Sequence, residues 1–172
     1  MQHNVAFNNI KPNMPKNANR PFPGATNSLS SAGHSPRVLI TGACRGIGRA
    51  CAESLAQSGA ELILCDNDAS ALSEAAEALG AASRFCDVAS EASVAIFAAE
   101  ILEEYPSLDM IINAAGGGYE RTLGMYRVSR ALLPALKRSE HQKLLLNIPP
   151  ADDDVDSAIF PYASSGQAFQ RL

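Results

Sequence analysis

The sequence has no tryptophan, and aromatic residues make up only 6% of its 172 positions. Its hydrophobic content of 47% and charged content of 19% are nevertheless ordinary for a globular domain, so the core must be mostly aliphatic. No segment approaches the ~20 apolar residues of a transmembrane helix, and no apolar run indicates a signal peptide. We therefore expect no membrane partner, and the net charge of −4 argues against a nucleic-acid partner.

The first 36 residues contain no acidic side chain, and their charged side chains are those of Lys11, Lys16 and Arg20. This stretch is rich in Asn, Pro and Ser and has no apolar periodicity. It cannot bury enough surface to offset the entropy cost of ordering. We predict a disordered basic tail over residues 1–36, followed by one folded domain over residues 37–172.

The four cysteines include no CxxC pair, and the three histidines lie apart from them in sequence. Because structural zinc sites usually need closer pairs, we expect reduced, mostly buried thiols at Cys44, Cys51, Cys65 and Cys86 in a cytoplasmic protein. The acidic run at residues 152–156 lacks the full spacing of a calcium loop and is interpreted as a solvated loop. The sequence therefore predicts no metal site.

From Arg37 onward, short apolar runs alternate with segments of helical periodicity. Asp68 and Ser90 are expected to cap helices, and Ile47 is expected to share the buried face of the first helix with Ala50, Cys51 and Leu55. Strands separated by helices at this spacing predict βαβ units and an α/β fold, a Rossmann-type doubly wound parallel sheet of about five strands. The predicted strands are residues 37–41, 61–65, 83–88, 108–115 and 143–148, and a further helix is predicted to open near residue 161.

A glycine-rich loop joins the first predicted strand to the first helix. Gly42 can form a tight turn, while Gly46 and Gly48 let the backbone approach a pyrophosphate at the positive end of the helix. Asp66 ends the second predicted strand, where a carboxylate accepts hydrogen bonds from ribose hydroxyls and repels a 2′-phosphate. The loop and Asp66 together predict a dinucleotide site that favours NAD over NADP.

These motifs resemble those of the short-chain dehydrogenase/reductase family over residues 37–172. The loop has the spacing Thr-Gly-(three residues)-Gly-Ile-Gly, Asp87-Val88 is similar to an adenine-contacting step, and Asn113-Ala114-Ala115-Gly116 is similar to an Asn-Asn-Ala-Gly signature. The resemblance implies an NAD cofactor held by Gly42, Cys44, Arg45, Gly46, Ile47, Gly48, Asp66, Asp87, Val88, Asn113, Ala114, Ala115 and Gly116.

The resemblance also implies a catalytic tyrosine at Tyr162, but its usual companions are missing. Gly166 stands where the family has a lysine that lowers the tyrosine pKa, and Pro149 or Pro150 stands at the position of the substrate-binding serine. Arg121 aligns with the asparagine of the proton relay. The chain also ends at Leu172, before counterparts of the family's sixth and seventh strands. We therefore expect a truncated, catalytically degenerate member in which Tyr162 is an inactive remnant.

Three functions remain open at this point. The sequence favours an NAD(H)-binding protein without turnover, which acts through regulation or partner binding as a homo-oligomer or with another protein. The second possibility is an NAD-dependent oxidoreductase acting on an alcohol or carbonyl. The third is an interaction module that no longer binds the cofactor.

Overall fold

The computed structural model describes residues 34–116, 118–141 and 143–148. Strands and helices alternate strictly along this part of the chain, as the hydrophobic pattern predicts. The elements are β1 (Arg37–Thr41), α1 (Gly46–Gln57), β2 (Glu61–Asp66), α2 (Ala69–Leu79), β3 (Ala82–Phe85), α3 (Glu91–Glu104), β4 (Met110–Asn113), α4 (Gly118–Arg138) and β5 (Leu144–Asn147).

The five strands form one parallel sheet in the order β3-β2-β1-β4-β5. In the central register, Leu39 of β1 lies beside Ile63 of β2 and Ile111 of β4. The chain therefore begins at the middle strand, β1. It adds β2 and β3 on one side and then β4 and β5 on the other. This order reverses between β1 and β4, which opens a crevice at the carboxyl ends of these strands. The predicted α/β Rossmann-type fold is confirmed.

Each face of the sheet is covered by its own pair of helices. Phe97 and Ile101 of α3 and Leu132 of α4 bury against one face, while Ala52 of α1 and Leu72 of α2 bury against the other. The central strands are apolar on both faces, as expected for parallel strands with helices on either side. The core is mostly aliphatic, as the scarcity of aromatic residues predicts.

The predicted helix caps are formed. The Asp68 carboxylate accepts a hydrogen bond from the Ala71 N–H at 3.1 Å, and the Ser90 hydroxyl accepts one from the Ser93 N–H at 3.3 Å. Gly80 ends α2 with φ +60°, a left-handed conformation that favours glycine. These local signals fix where α2 and α3 begin and where α2 ends.

Several details differ from the sequence-based expectation. Ile47 and Ala50 are exposed, and α1 instead buries Gly48 and Ala52, because its first turn faces the crevice and only small residues fit against the sheet. The third and fourth strands are shorter than predicted.

The four cysteines are free thiols, of which Cys65 and Cys86 are buried and Cys44 and Cys51 partly so. Within the described part of the chain, no helix is long and apolar enough to cross a membrane. The helix predicted near residue 161 and the acidic run at 152–156 lie outside the described residues.

Candidate nucleotide-binding site

The glycine loop between β1 and α1 is held by close backbone contacts. Gly42 has φ +67°, and a Cβ added there would lie 2.6 Å from the Ala115 nitrogen. A Cβ added to Gly48 would overlap the Gly42 carbonyl oxygen. Any side chain at either position would push the loop away from the end of β4. The loop can therefore have this shape only with glycine at both positions.

Gly46 has a different reason to be glycine. Its φ is +55°, yet a Cβ there would meet no atom within 4 Å. The space beside it is the crevice itself, and α1 begins at this residue, with its N-terminus directed to the crevice. A helix N-terminus carries unsatisfied N–H groups and a partial positive charge. This end of the crevice is therefore suited to an anion such as a pyrophosphate.

The Asp66 residue lines the crevice and is only 7% exposed. One oxygen accepts a hydrogen bond from the Cys44 N–H at 3.1 Å. The other accepts from the N–H groups of Asn67 at 2.9 Å and Asp68 at 3.3 Å. These three donors hold the carboxylate at the end of β2, directly beside the glycine loop, where it remains able to accept from a ligand hydroxyl.

Cys44 contributes its backbone to this arrangement, not a reactive thiol. Burial, followed by the hydrogen bond and negative charge of Asp66, raises the pKa of the Cys44 thiol to about 12. The thiol is therefore neutral at physiological pH and is a poor nucleophile. The described residues also bring together no group of histidines, cysteines and carboxylates that could hold a metal ion.

The loop after β3 closes another side of the crevice. The Asp87 carboxylate accepts a hydrogen bond from the Ala89 N–H at 3.1 Å, and the Asp87 N–H donates to the Ser93 hydroxyl at 3.0 Å. Val88 packs against α4 at Gly124, where an added Cβ would lie 2.6 Å from the Val88 carbonyl oxygen. Sequence reasoning missed Gly124, because a lone glycine inside a helix gives no sign of the loop it touches.

Most of the predicted cofactor-binding residues line this one crevice. The residues around it are Gly42, Arg45, Gly46, Ile47, Asp66, Asn67, Cys86, Asp87, Val88, Ala114, Ala115, Gly116 and Ile148. Asn67, Cys86 and Ile148 were not predicted; Asn67 directly follows Asp66, Cys86 directly precedes Asp87, and Ile148 follows the last residue of β5. The crevice lies at the carboxyl ends of the strands where their order reverses, the usual ligand position in such sheets.

Asn113 does not line the crevice, although the sequence places it among the cofactor-binding residues. Its side chain is fully buried, and its amide donates to the Ser129 hydroxyl at 2.9 Å and to the Asn147 side-chain oxygen at 2.8 Å. It thereby joins β4 to α4 and β5. Because Ala114 and Ala115 directly follow Asn113 in the chain, we give Asn113 a positioning role.

The predicted catalytic positions fall outside this description. Tyr162, Gly166, Pro149 and Pro150 lie beyond residue 148, and Arg121 belongs to the part of α4 whose side chains are not described. Their roles remain predictions from the sequence.

Comparison with known proteins identifies relatives of the same kind. A family model described as short chain dehydrogenase matches residues 36–143. The bovine dehydrogenase/reductase SDR family member 7B is 35% identical over 130 residues, covering 59% of this chain and 40% of its own length. Mouse retinol dehydrogenase 14 is 32% identical over 167 residues, covering 75% of this chain and 50% of its own length. The chain thus spans half or less of the length of these two curated relatives.

Solved structures agree in fold. The RhlG/NADP active-site complex from Pseudomonas aeruginosa matches with a TM-score of 0.61 and 30% identity, covering 65% of this chain and 52% of that one. An alcohol dehydrogenase from Thermococcus sibiricus, complexed with 5-hydroxy-NADP, matches with a TM-score of 0.59 and 29% identity, covering 66% and 57% of the two chains. Both of these neighbours were solved with an NADP-type ligand.

Proposed function

The chain belongs to the short-chain dehydrogenase/reductase family, and we propose that it binds NAD(H) through the adenosine half of the family's site without turning it over. The observation that carries the proposal is the joint geometry of the glycine loop and Asp66 at one crevice. Family members use nicotinamide nucleotides, but the family alone does not decide between NAD and NADP.

The adenosine half fits the residues around the crevice. The α1 N-terminus and Gly46 suit a pyrophosphate, because the backbone can approach it closely and carries partial positive charge. Asp66 suits the adenosine ribose, whose hydroxyls would donate to its carboxylate. Asp87 and Val88 flank the position of the adenine. The negative charge of Asp66 supports NAD over NADP, because it repels a 2′-phosphate.

The proposed lack of turnover rests on residue types in the sequence. Hydride transfer needs a proton donor or acceptor with a pKa near the working pH, and a tyrosine without a neighbouring cation ordinarily titrates near ~10. Gly166 supplies no cation beside Tyr162, and no lysine follows Lys143 anywhere in the chain. Neither Pro149 nor Pro150 can donate a hydrogen bond to a substrate oxygen.

The second candidate is a working oxidoreductase, and it is favoured by the names of the relatives, which include dehydrogenases and reductases. Because the chain spans half or less of those two relatives, their activities are not assigned to it. The third candidate, an interaction module without cofactor, is opposed by the intact glycine loop and Asp66.

The two candidates that bind the cofactor are separated by following NADH absorbance with a broad panel of alcohols, ketones and sugars. We expect no turnover above background at high protein concentration. In the same preparation, we expect a change in NADH fluorescence that reports binding. Turnover by the unaltered chain that is lost in Tyr162→Phe would instead establish the oxidoreductase.

We further propose a homo-oligomer or protein partner and a cytoplasmic location. Leu144 and Leu146 of β5 are 40% and 41% exposed, and no described residue pairs with the outer edge of this strand. Exposed apolar residues at a strand edge favour association with another chain. A soluble monomer in light scattering at high concentration would contradict association. The four free thiols support a reducing compartment.

A further inference from the structure

An ion pair at the ribose end of the crevice joins Arg45, which the family motifs identify, to Asp68, which they do not identify. The Arg45 guanidinium donates to the Asp68 carboxylate with a nitrogen–oxygen distance of 3.0 Å. Arg45 also lines the crevice together with Asp66. Asp68 follows Asp66 by two residues, so a cation and its anionic partner stand next to the proposed ribose position.

The two partners of this pair are held very differently. Asp68 is anchored, because its second oxygen caps α2 by accepting from the Ala71 N–H. Arg45 is fixed only through its backbone, which is extended at the start of α1 (φ −150°, ψ 168°). Its side chain is 72% exposed and extends to Asp68. The Arg45 side chain is therefore the member of the pair that can move, and Asp68 determines the position of its guanidinium group.

The negative charge of Asp66 is not sufficient by itself to exclude a 2′-phosphate. Its carboxylate already accepts three backbone N–H groups, which partly offset its negative potential. An arginine beside the ribose would further favour a phosphate, since guanidinium and phosphate form strong charge-assisted hydrogen bonds. Exclusion of NADP then needs Arg45 to be neutralised by a partner other than the ligand.

We propose that Asp68 is a positioning residue for cofactor choice: it holds and neutralises Arg45, and so keeps the crevice selective for NAD over NADP. The inference rests on the proposed function, in which the crevice takes the adenosine end of the cofactor. In the unaltered chain, the Arg45–Asp68 ion pair must break before the Arg45 guanidinium can bind a 2′-phosphate. Without the Asp68 charge, Arg45 is free to bind the phosphate.

The expected size follows from the exposure of the pair. Because a pair this exposed contributes little, releasing Arg45 should raise NADP affinity about twofold to fivefold. NAD affinity should change less than twofold, because NAD carries no group for the released guanidinium. The signature is therefore a change in the NADP-to-NAD affinity ratio, which a general loss of structure would not produce.

The test is calorimetric titration of the full chain with NAD and with NADP. Asp68→Asn removes the charge but keeps a good helix cap, and Asp68→Ser is a second cap-retaining variant if the first fails to fold. Glu74→Gln is the matched control, because it removes one negative charge from the exposed side of the same helix without touching Arg45. Each variant is repeated in an Arg45→Ala background.

We expect Asp68→Asn to raise NADP affinity, Glu74→Gln to leave it unchanged, and the gain to vanish when Arg45 is alanine. A gain that persists in Arg45→Ala would overturn the proposal, because Asp68 would then act by direct repulsion. An unchanged NADP-to-NAD ratio in Asp68→Asn would also overturn it. If neither nucleotide binds to any variant, the proposed function itself fails, which is a distinguishable result.

Discussion

A buried carboxylate lies at each end of the sheet: Asp66 at the carboxyl end of β2, and Asp109 immediately before β4 at the amino end. Asp66 is held by backbone N–H groups and lines an open crevice. Asp109 is 3% exposed and accepts from the Ser139 hydroxyl, the Arg37 N–H at 2.8 Å and the His34 ring at 2.9 Å. It is not among the residues that line the crevice.

This difference separates a binding group from a structural one. Asp109 joins three distant parts of the chain, since His34 precedes β1 and Ser139 follows α4, and the His34 ring stacks on His141 at 3.6 Å. Asp66 accepts hydrogen bonds only from backbone N–H groups beside the crevice, and it faces space that a ligand can fill. We therefore expect substitutions at the amino end to change stability alone and substitutions at the carboxyl end to change binding.

The largest effect is expected at Gly48, which serves both fold and site. Gly48→Ala forces a Cβ onto the Gly42 carbonyl, and overpacking of this kind should cost about 3 kcal/mol of unfolding free energy. Gly46→Ala is the control, since its Cβ meets only open space and its positive φ costs about 1 kcal/mol. Urea unfolding measures both, and equal losses would show that the close contact at Gly48 is not needed.

Asp109→Asn should be the clearest change at the amino end. The amide would present an N–H₂ group to donors that now face a carboxylate, leaving a buried group unsatisfied at a cost of about 2 kcal/mol. Glu140→Gln removes the same charge from an exposed neighbouring position and should be near neutral. NAD affinity in Asp109→Asn should stay within twofold of the unaltered chain. A large loss of affinity would contradict the separation of the two ends.

Asp66→Ala should show the opposite pattern. Loss of the ribose acceptor is expected to weaken NAD binding about tenfold, or about 1.4 kcal/mol, and to narrow the preference over NADP, because the repelling charge is gone. Calorimetry with both nucleotides provides the measurement, and unchanged affinity for both would remove Asp66 from the site.

The smallest effect concerns the pH dependence of stability. Burial tends to raise the pKa of Asp109, but the hydrogen bonds from Ser139, Arg37 and His34 outweigh it and leave the pKa below its usual value. A lowered folded-state pKa means that Asp109 stabilises the fold fully above the unfolded value of ~3.9 and loses this contribution as pH falls through the folded pKa. The stability gap between the unaltered chain and Asp109→Asn should therefore narrow from about pH 6 to about pH 3. A constant gap would contradict this assignment.

The sequence predicted the parts of the molecule that local rules govern. The number of strands and their alternation with helices followed from the apolar runs, and the caps at Asp68 and Ser90 followed from residue type and position. The glycine loop and Asp66 were found together because their spacing is fixed by one strand, one turn and one helix. The buried face of α1 was mispredicted at Ile47, since periodicity alone cannot tell which face meets a crevice.

Hydrogen bonds and ion pairs between residues that are far apart in the chain could not be predicted from the sequence. Asp109 meets Ser139 across 30 positions and His34 across 75, and no local pattern marks any of the three. The hydrogen bonds of Asn113 were not foreseen for the same reason, because its partners Ser129 and Asn147 come from α4 and β5. The Arg45–Asp68 pair depends on two helix starts that only the folded sheet brings together.

Binding through the adenosine half alone is the central feature of the proposed function. Titrating the full chain with NAD, and then with ADP-ribose as competitor, isolates that half, because ADP-ribose lacks only the nicotinamide. We predict that both bind and that ADP-ribose competes almost as well as NAD. If neither ligand binds at millimolar concentration, the proposed cofactor binding is contradicted. If ADP-ribose competes far more weakly than NAD, the nicotinamide contributes to binding, and the proposal that only the adenosine half binds is wrong.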